Sequence, residues 1–149
     1  MITFQEYLTE IFDSKIDYTL ENSDEWGSDY SFNIDYDEYM VQIAFSNKLG
    51  SFIPDKTSII ISFSKNEKYS QSFAEGKEYQ VFSTVFNILK DYLKKHKEIT
   101  TLKFSAKTND KSRVKLYDAF IKKFASGIGF KLDNTEIESD EKFYVLIKD

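Results

Sequence analysis

The chain has 149 residues, of which 41% are hydrophobic, 30% charged and 17% aromatic, and this size and composition suit one globular domain over 1–149. It contains no cysteine, which excludes disulfides, cysteine-ligated zinc and thiol nucleophiles. The net charge is −5, no apolar run approaches the roughly 18–20 residues that cross a bilayer, and the residues after Met1 lack a signal-peptide pattern. We therefore expect a protein without a membrane segment that stays in the cell that makes it.

The first part of the chain predicts one helix and three strands. Apolar residues recur at helical spacing over 3–12, and Thr3 with Glu6 has the spacing of a capping box. Alternating patterns predict strands over 29–35 and 38–45, with a hairpin turn at Asp35-Tyr36-Asp37, and β-branched residues predict a central strand over 58–64. Residues 13–28 are polar and acidic with no strand assigned, and 46–57 and 65–76 are predicted to be loops.

The second part predicts strands that alternate with helices. Helical spacing covers 77–95 and about 112–126, with Ser112 as the N-cap of the second helix and Gly127 as its stop. Strands are expected over 101–105 and 142–148, and a further one starts at 130–132. The order α-β-β-β-α-β-α-β predicts an α+β protein whose mixed sheet is antiparallel at first, then has a βαβ crossover, and is flanked by helices.

This order, together with the stretch Gln71-Ser72-Phe73-Ala74-Glu75-Gly76, resembles the GNAT acyltransferases. In that family a Gln/Arg-x-x-Gly-x-Gly/Ala loop and the following helix hold the pyrophosphate of coenzyme A through backbone N–H groups. The resemblance implies that Gln71, Ala74, Gly76 and Lys77 bind acetyl-coenzyme A. Ala74 stands where the family has its first glycine and Glu75 adds a negative charge, so a polar turn that caps the helix is the alternative interpretation.

A second part of the resemblance concerns a possible acid group for the reaction. Asn109, Leu116-Tyr117 and Gly129-Phe130 follow the order of the family's Asn…Leu-Tyr…Gly-Phe pattern, in which the tyrosine protonates the departing thiolate. The resemblance implies this role for Tyr117. The family has only a few residues between the tyrosine and the phenylalanine, whereas 13 positions separate Tyr117 from Phe130 here, and the apolar stripe of the helix favours a core aromatic instead.

Four short blocks resemble small uncharacterised proteins of tailed bacteriophages. They are residues 81–85, Phe104-Ser105-Ala106, residues 112–118 with the motif Ser-Arg-x-x-Leu-Tyr-Asp, and Gly129-Phe130. Residues 1–12 are also similar to capsid-targeting peptides, because Leu8-Thr9-Glu10 fits a prohead-protease pattern. The resemblance implies a location in the host bacterial cytoplasm, with packaging in the virion as an option; an amphipathic helix that packs on the domain explains the same N-terminal residues.

Charge and rare residues suggest further sites. Residues 1–76 contain 14 acidic residues and 5 lysines, while 77–149 contain 11 acidic and 15 basic residues. Trp26, Tyr30 and Tyr36 lie in the acidic part and are residue types that anchor protein contacts, unless they face the core as strand residues. Arg113, the one arginine, with Lys111 and Ser112 either binds an anion at a helix start or pairs with an acid. With one histidine, His96, we expect no metal site.

These observations lead to three interpretations of function. The first is a phage or prophage protein with a degenerate acyltransferase-like fold that binds a host or virion protein and needs no cofactor. The alternative is an acyl-coenzyme A dependent N-acyltransferase that uses acetyl-coenzyme A. The third is anion or nucleic-acid binding through the Arg113 region, although the negative net charge makes nucleic acid an unfavourable partner. The sequence leaves the oligomeric state open.

Overall fold

The computed structural model describes residues 16–48, 51–65, 78–109 and 125–149, together with 111, 114, 117, 118, 121 and 122. Their strands are β1 (Thr19–Asp24), β2 (Gly27–Ile34), β3 (Asp37–Asn47), β4 (Pro54–Lys65), β5 (Thr101–Lys107), β6 (Phe130–Glu138) and β7 (Glu141–Lys148). Helix α1 (Glu78–Lys95) joins β4 to β5. The described residues between 111 and 122 are helical and are called α2, and a 3₁₀ turn at Ala125–Ile128 precedes β6.

The strands form one mixed sheet in the order β1-β2-β3-β4-β5-β7-β6. Strands β1 to β4 are antiparallel neighbours, β4 and β5 are parallel, and β7 pairs antiparallel with both β5 and β6. The hairpin predicted at Asp35-Tyr36-Asp37 is confirmed, and Asp35 takes a positive φ of 55°, which aspartate tolerates in such turns. The predicted fold class, an α+β protein with a mixed sheet, is confirmed.

One face of the sheet packs against α1 and α2 and forms the core. Alternate residues of β3 and β4, such as Tyr39, Val41, Ile43, Ile59 and Ile61, are at most 1% exposed. Helix α1 adds a stripe of buried residues at helical spacing, and Lys94 and Lys95 in its last turn suit the helix dipole. Because each large apolar side chain stabilises the fold by about 1.5–3 kcal/mol when fully buried, this face supplies most of the stability.

The sequence predicts the two edges of the sheet unequally. No strand is predicted within the polar residues 13–28, yet Thr19–Asp24 is strand β1, whereas the strand predicted to start at 130–132 is confirmed as β6, which runs on to Glu138. All six residues of β1 are exposed, and only Phe130 of β6 is buried. Such strands are held by backbone pairing on one side, so their side chains carry no alternating pattern.

Other predicted boundaries need smaller corrections. The loop expected over 46–57 is shorter, because β3 continues to Asn47 and β4 begins at Pro54. Gly127 was expected to end the second helix, but it lies within the 3₁₀ turn, and Gly129 takes the positive φ of 82°. The predicted helix over 3–12, most of the 65–76 loop and the N-cap at Ser112 lie outside the described residues. No helix among the described residues is long and apolar enough to cross a membrane.

Candidate active site

The sheet divides between its two parallel strands. β4 and β5 pair from Ser58 with Thr101 to Ile61 with Phe104, and the ladder ends there within the described residues. Both strands nevertheless continue: β4 runs on to Lys65 paired with β3, and β5 runs on to Lys107 paired with β7. Residues 62–65 of β4 and 105–107 of β5 are therefore not paired with each other, and this unpaired stretch is called the β4–β5 opening below.

Backbone groups border this opening on both sides. A strand that pairs along one edge directs every second N–H and C=O toward its other edge. β4 beyond Ile61 and β5 beyond Phe104 therefore present amide donors and acceptors to the space between them. An extended ligand that carries amide groups can complete these edges as a short additional strand would.

Tyr117 of α2 packs beside the point where the strands separate. Its ring centroid lies 5.6 Å from that of Phe104, the last β5 residue paired with β4, and 5.5 Å from that of Phe82 on α1. The residue is 2% exposed. Tyr117 is thus a core aromatic, which is one of the two interpretations of the sequence. It also lies next to the β4–β5 opening, which is the position that a role as acid group would require.

A second tyrosine, Tyr144 of β7, joins α2 to the sheet. Its ring centroid is 5.6 Å from that of Tyr117, and its hydroxyl donates to Asp118 Oδ1 at 2.8 Å, with Val114 O 3.3 Å away. Burial raises the pKa of the Tyr144 phenol well above its usual value, and the hydrogen bond to the Asp118 carboxylate raises this pKa further. Lys142 lies 3.7 Å from the same carboxylate oxygen. These contacts hold the helix that carries Tyr117 in one position.

A buried lysine paired with a half-buried aspartate marks the far end of β4. The Lys65 Nζ atom is 3.6 Å from Asp37 Oδ2, and Lys65 is 9% exposed. Lys65 is directly opposite Tyr39 in the ladder with β3, so both face the core side of the sheet. A buried lysine needs a partner of opposite charge, which Asp37 provides.

The structure describes only part of the residues predicted for a cofactor or anion site. Gln71, Ala74, Gly76 and Lys77 lie outside the described residues, as do Ser112 and Arg113. Lys111 is described as an exposed helical residue. The roles assigned to these residues from the sequence stay predictions.

The three aromatic residues predicted to form a protein-binding surface are not brought together. Trp26 is 36% exposed in the turn before β2, and Tyr36 is fully exposed in the turn after it. The two turns are at opposite ends of an eight-residue strand, roughly 25 Å apart. Tyr30 lies between them, half-buried against the core, with its ring centroid 5.8 Å from that of Tyr18. A single patch made of all three is therefore not formed.

His96 has a packing role at the end of α1. Its ring stacks on Tyr92 with a centroid distance of 4.2 Å, and its Nδ1 atom is 3.6 Å from Glu98 Oε1. Among the described residues, no three side chains of the metal-binding types lie close enough together to hold a metal ion.

Sequence reasoning missed the residues that the register brings together. Ser62 borders the opening only because the β4–β5 ladder ends one residue earlier, and no local pattern contains that information. Tyr144 lies in the strand predicted over 142–148 but was not predicted as a site residue, whereas the structure buries Tyr144 and Leu146 most deeply in this strand. The alternation of Tyr144 with Leu146 is the signal that could have found it.

Comparison with solved structures shows what this architecture resembles. RimL, the ribosomal L7/L12 alpha-N-protein acetyltransferase, in complex with coenzyme A aligns with 83% of this chain at a TM-score of 0.51 and 12% identity. This chain has a GNAT-like fold. A GNAT-family acetyltransferase from Streptococcus pneumoniae covers 83% of the chain at a TM-score of 0.48 and 11% identity. An acetyltransferase from Bacillus subtilis in complex with CoA covers 91% at 0.45 and 11%.

The similarity is limited to the fold. The chain spans 63% of the RimL chain, 66% of the streptococcal chain and 99% of the Bacillus chain. No protein-family model matches the sequence, and no match is found among curated proteins. The GNAT-like fold expected from the order of elements is confirmed, while the resemblance to phage proteins stays a prediction.

Proposed function

We propose that the protein is an acyl-coenzyme A dependent N-acyltransferase whose donor binds in the β4–β5 opening. The observation that carries this proposal is the end of the parallel ladder at Ile61 and Phe104 while both strands continue. An acyl-coenzyme A molecule has an extended arm with two amide groups, which suits the backbone donors and acceptors of β4 and β5. When bound, it would supply an activated acyl thioester.

The residues around the opening suit acyl transfer from a thioester to an amine. A neutral amine forms a C–N bond to the acyl carbon, the C–S bond breaks, and the thiolate takes up a proton. Tyr117 is the described side chain that we propose as the source of that proton, which it regains from the nitrogen after attack. Burial against Phe82 and Phe104 would exclude water from its hydroxyl.

Calorimetric titration tests donor binding directly. We expect acetyl-coenzyme A to bind with micromolar affinity, and ADP, which lacks the amide-containing arm, to bind at least ~10-fold more weakly. Gly76→Glu should abolish binding if the predicted pyrophosphate loop takes part. No heat with millimolar acetyl-coenzyme A would overturn the proposal. Equal affinity for ADP would show that the β4–β5 opening does not contribute to binding of the donor.

A substitution of Tyr117 tests the chemical step. Tyr117→Phe should lower kcat about 10²–10⁴-fold, the usual contribution of a general acid, while the Kd for acetyl-coenzyme A stays the same. Tyr92→Phe is the matched control, because Tyr92 is also a buried tyrosine but packs against Phe45 and His96. Equal kcat values for the two variants would assign Tyr117 to packing alone.

The first interpretation from the sequence, binding of a host or virion protein by a phage-derived chain, is the competing function. Trp26 and Tyr36 are the exposed members of its predicted surface. It would gain support if the titration with acetyl-coenzyme A gave no heat, because the fold would then be retained without its donor site.

A further inference from the structure

A groove of about 300 Å³ lies on the sheet face opposite the helices. Its floor consists of two rows that cross strands β1 to β4, as the pairing register shows. The first row is Asp24, Gly27, Ala44 and Ile60, and the second row is Asn22, Asp29, Gln42 and Ser62. Trp26, in the turn between β1 and β2, completes the lining together with Ser28 and Ile43.

The concave shape follows from two small residues in the first row. A Cβ atom on Gly27 would lie 2.0 Å from the carbonyl oxygen of Ile43, so no side chain fits there. Ala44, its partner on β3, adds only a methyl group. The neighbouring backbone is held by the Phe45 N–H, which donates to Trp26 O at 2.8 Å. The low floor between Trp26 and Ile60 is therefore a fixed feature of the β2–β3 pairing.

Both charged residues that line the groove are acidic. Asp24 and Asp29 line it, and none of its lining residues is a lysine, arginine or histidine. Asp24 Oδ1 accepts the Trp26 N–H at 2.7 Å, so this carboxylate is partly used by the turn. No cation within the described part of the chain pairs with Asp29. A half-buried carboxylate in a groove whose lining also includes an indole ring favours an organic cation.

The two rows differ in where they end. The first row continues from Ile60 to Lys103 on β5, whereas Ser62 of the second row has no β5 partner, because the ladder stops at Ile61. The second row therefore leads from Asp29 through Gln42 directly to the β4–β5 opening. Since neighbouring strands are about 4.8 Å apart, Asp29 and Ser62 are separated by about 10 Å.

We propose that this groove binds a linear diamine or polyamine, with one ammonium group at Asp29 and a second amino group at Ser62. The acceptor role rests on the proposed acyl transfer, but binding does not. An attacking amine must be neutral, and a carboxylate stabilises the charged form, so Asp29 recognises an ammonium group that does not react. The methylene chain between the two nitrogens passes over Gln42, beside the apolar part of the floor formed by Ala44 and Ile60.

Fluorescence of Trp26, the one tryptophan in the chain, tests the proposal without any acyl donor. We expect spermidine to change this fluorescence saturably, and Asp29→Asn to weaken binding at least ~10-fold, as expected for loss of a charge-assisted contact. Asp133→Asn is the matched control, because it makes the same charge change on exposed strand β6. It should leave the affinity unchanged.

Three comparison ligands make the result decisive. 1,8-Octanediol has a similar length without charge, MgCl₂ is a simple divalent cation, and N-acetyl-lysine amide carries a single ammonium group. We expect none of them to bind as tightly as spermidine. Equal responses to MgCl₂ or to the lysine amide, or equal affinities of the Asp29 and Asp133 variants, would overturn the proposal. Saturable spermidine binding without acyl transfer to spermidine would support the groove and reject its acceptor role. The titration with acetyl-coenzyme A tests the proposed reaction separately, so the two failures are distinguishable.

Discussion

The two faces of strands β2 to β4 are made by alternate residues of the same segments, yet they differ in almost every property. On the helix side Ile61 is fully buried, while its neighbour Ile60 on the other side is 38% exposed and lines the groove. The helix side contains large apolar residues, and the groove side contains two carboxylates, small residues and polar side chains. The helix side of the sheet thus determines stability, and the groove side is available to bind a ligand.

The largest effect on this arrangement is expected from Gly27→Val. A side chain at this position would meet the Ile43 carbonyl oxygen at 2.0 Å, and the φ of 149° is unfavourable for any residue with a Cβ. We expect the free energy of unfolding to fall by about 3 kcal/mol or more, as in overpacked sites with backbone strain. Urea unfolding measures this change in the free energy of unfolding. Gly127→Val is the control, because a Cβ atom on Gly127 would meet nothing within 4 Å.

A matched pair of substitutions compares the two faces directly. Ile61→Ala should lower the free energy of unfolding by about 2–5 kcal/mol, because it leaves a cavity under α1. Ile60→Ala should lower it by less than about 1 kcal/mol, because its side chain is already partly in water. Equal losses from the two variants, measured by chemical unfolding, would show that the groove face is covered.

A smaller effect is expected where α2 joins β7. Tyr144→Phe removes the hydroxyl that donates to Asp118 Oδ1 at 2.8 Å and should cost about 1–2 kcal/mol in unfolding free energy. Tyr36→Phe, at a fully exposed position, should change it by less than about 0.5 kcal/mol. A Tyr144→Phe variant as stable as Tyr36→Phe would mean that the Asp118 contact contributes nothing measurable.

The smallest effect at neutral pH concerns two tyrosines on the helix side, the partly buried Tyr18 and the buried Tyr92. Burial, with a hydrogen bond to Asp91, raises the pKa of Tyr18 to about 12, and burial with the nearby Tyr30 raises the pKa of Tyr92 to about 12. The unfolded chain releases these protons near pH 10, so the stability that they contribute is complete below pH 10 and is lost as pH rises toward 12. Urea unfolding between pH 8 and 11.5 should show a constant free energy at first and then a decrease. A constant value throughout would contradict the raised pKa values.

The sequence predicts the helix side of this comparison better than the groove side. Alternation of Tyr39, Val41, Ile43 and Phe45 and the stripe of α1 are local patterns, so the core strands and the long helix are confirmed with small changes in their ends. Edge strand β1 was not predicted, and only the start of edge strand β6 was, because exposed polar residues leave no such pattern. The candidate site was largely unpredictable for a different reason: the opening and the groove depend on register between strands that are distant in the sequence.

Particular residues illustrate this limit. Asp29, Gln42 and Ser62 form one row only because two hairpins place them opposite one another. Tyr117 was found from a motif, but its position beside Phe104 required the packing of α2 on the sheet. A sequence motif can identify a candidate residue, but only the fold shows which neighbours contact it and therefore which role it can have.

The two outer strands have a consequence for how copies of the protein meet. Strand β1 carries Glu21 and Asp24, and strand β6 carries Asp133, Glu136 and Glu138 against Lys131 alone. Two molecules that approach through these margins oppose carboxylate with carboxylate, which disfavours continuous ladders between them. Salt screens the interaction between exposed charges, so this repulsion fades as the ionic strength rises. Solutions of high salt concentration should therefore be where concentrated preparations of the protein first scatter light and bind fibril-specific dyes.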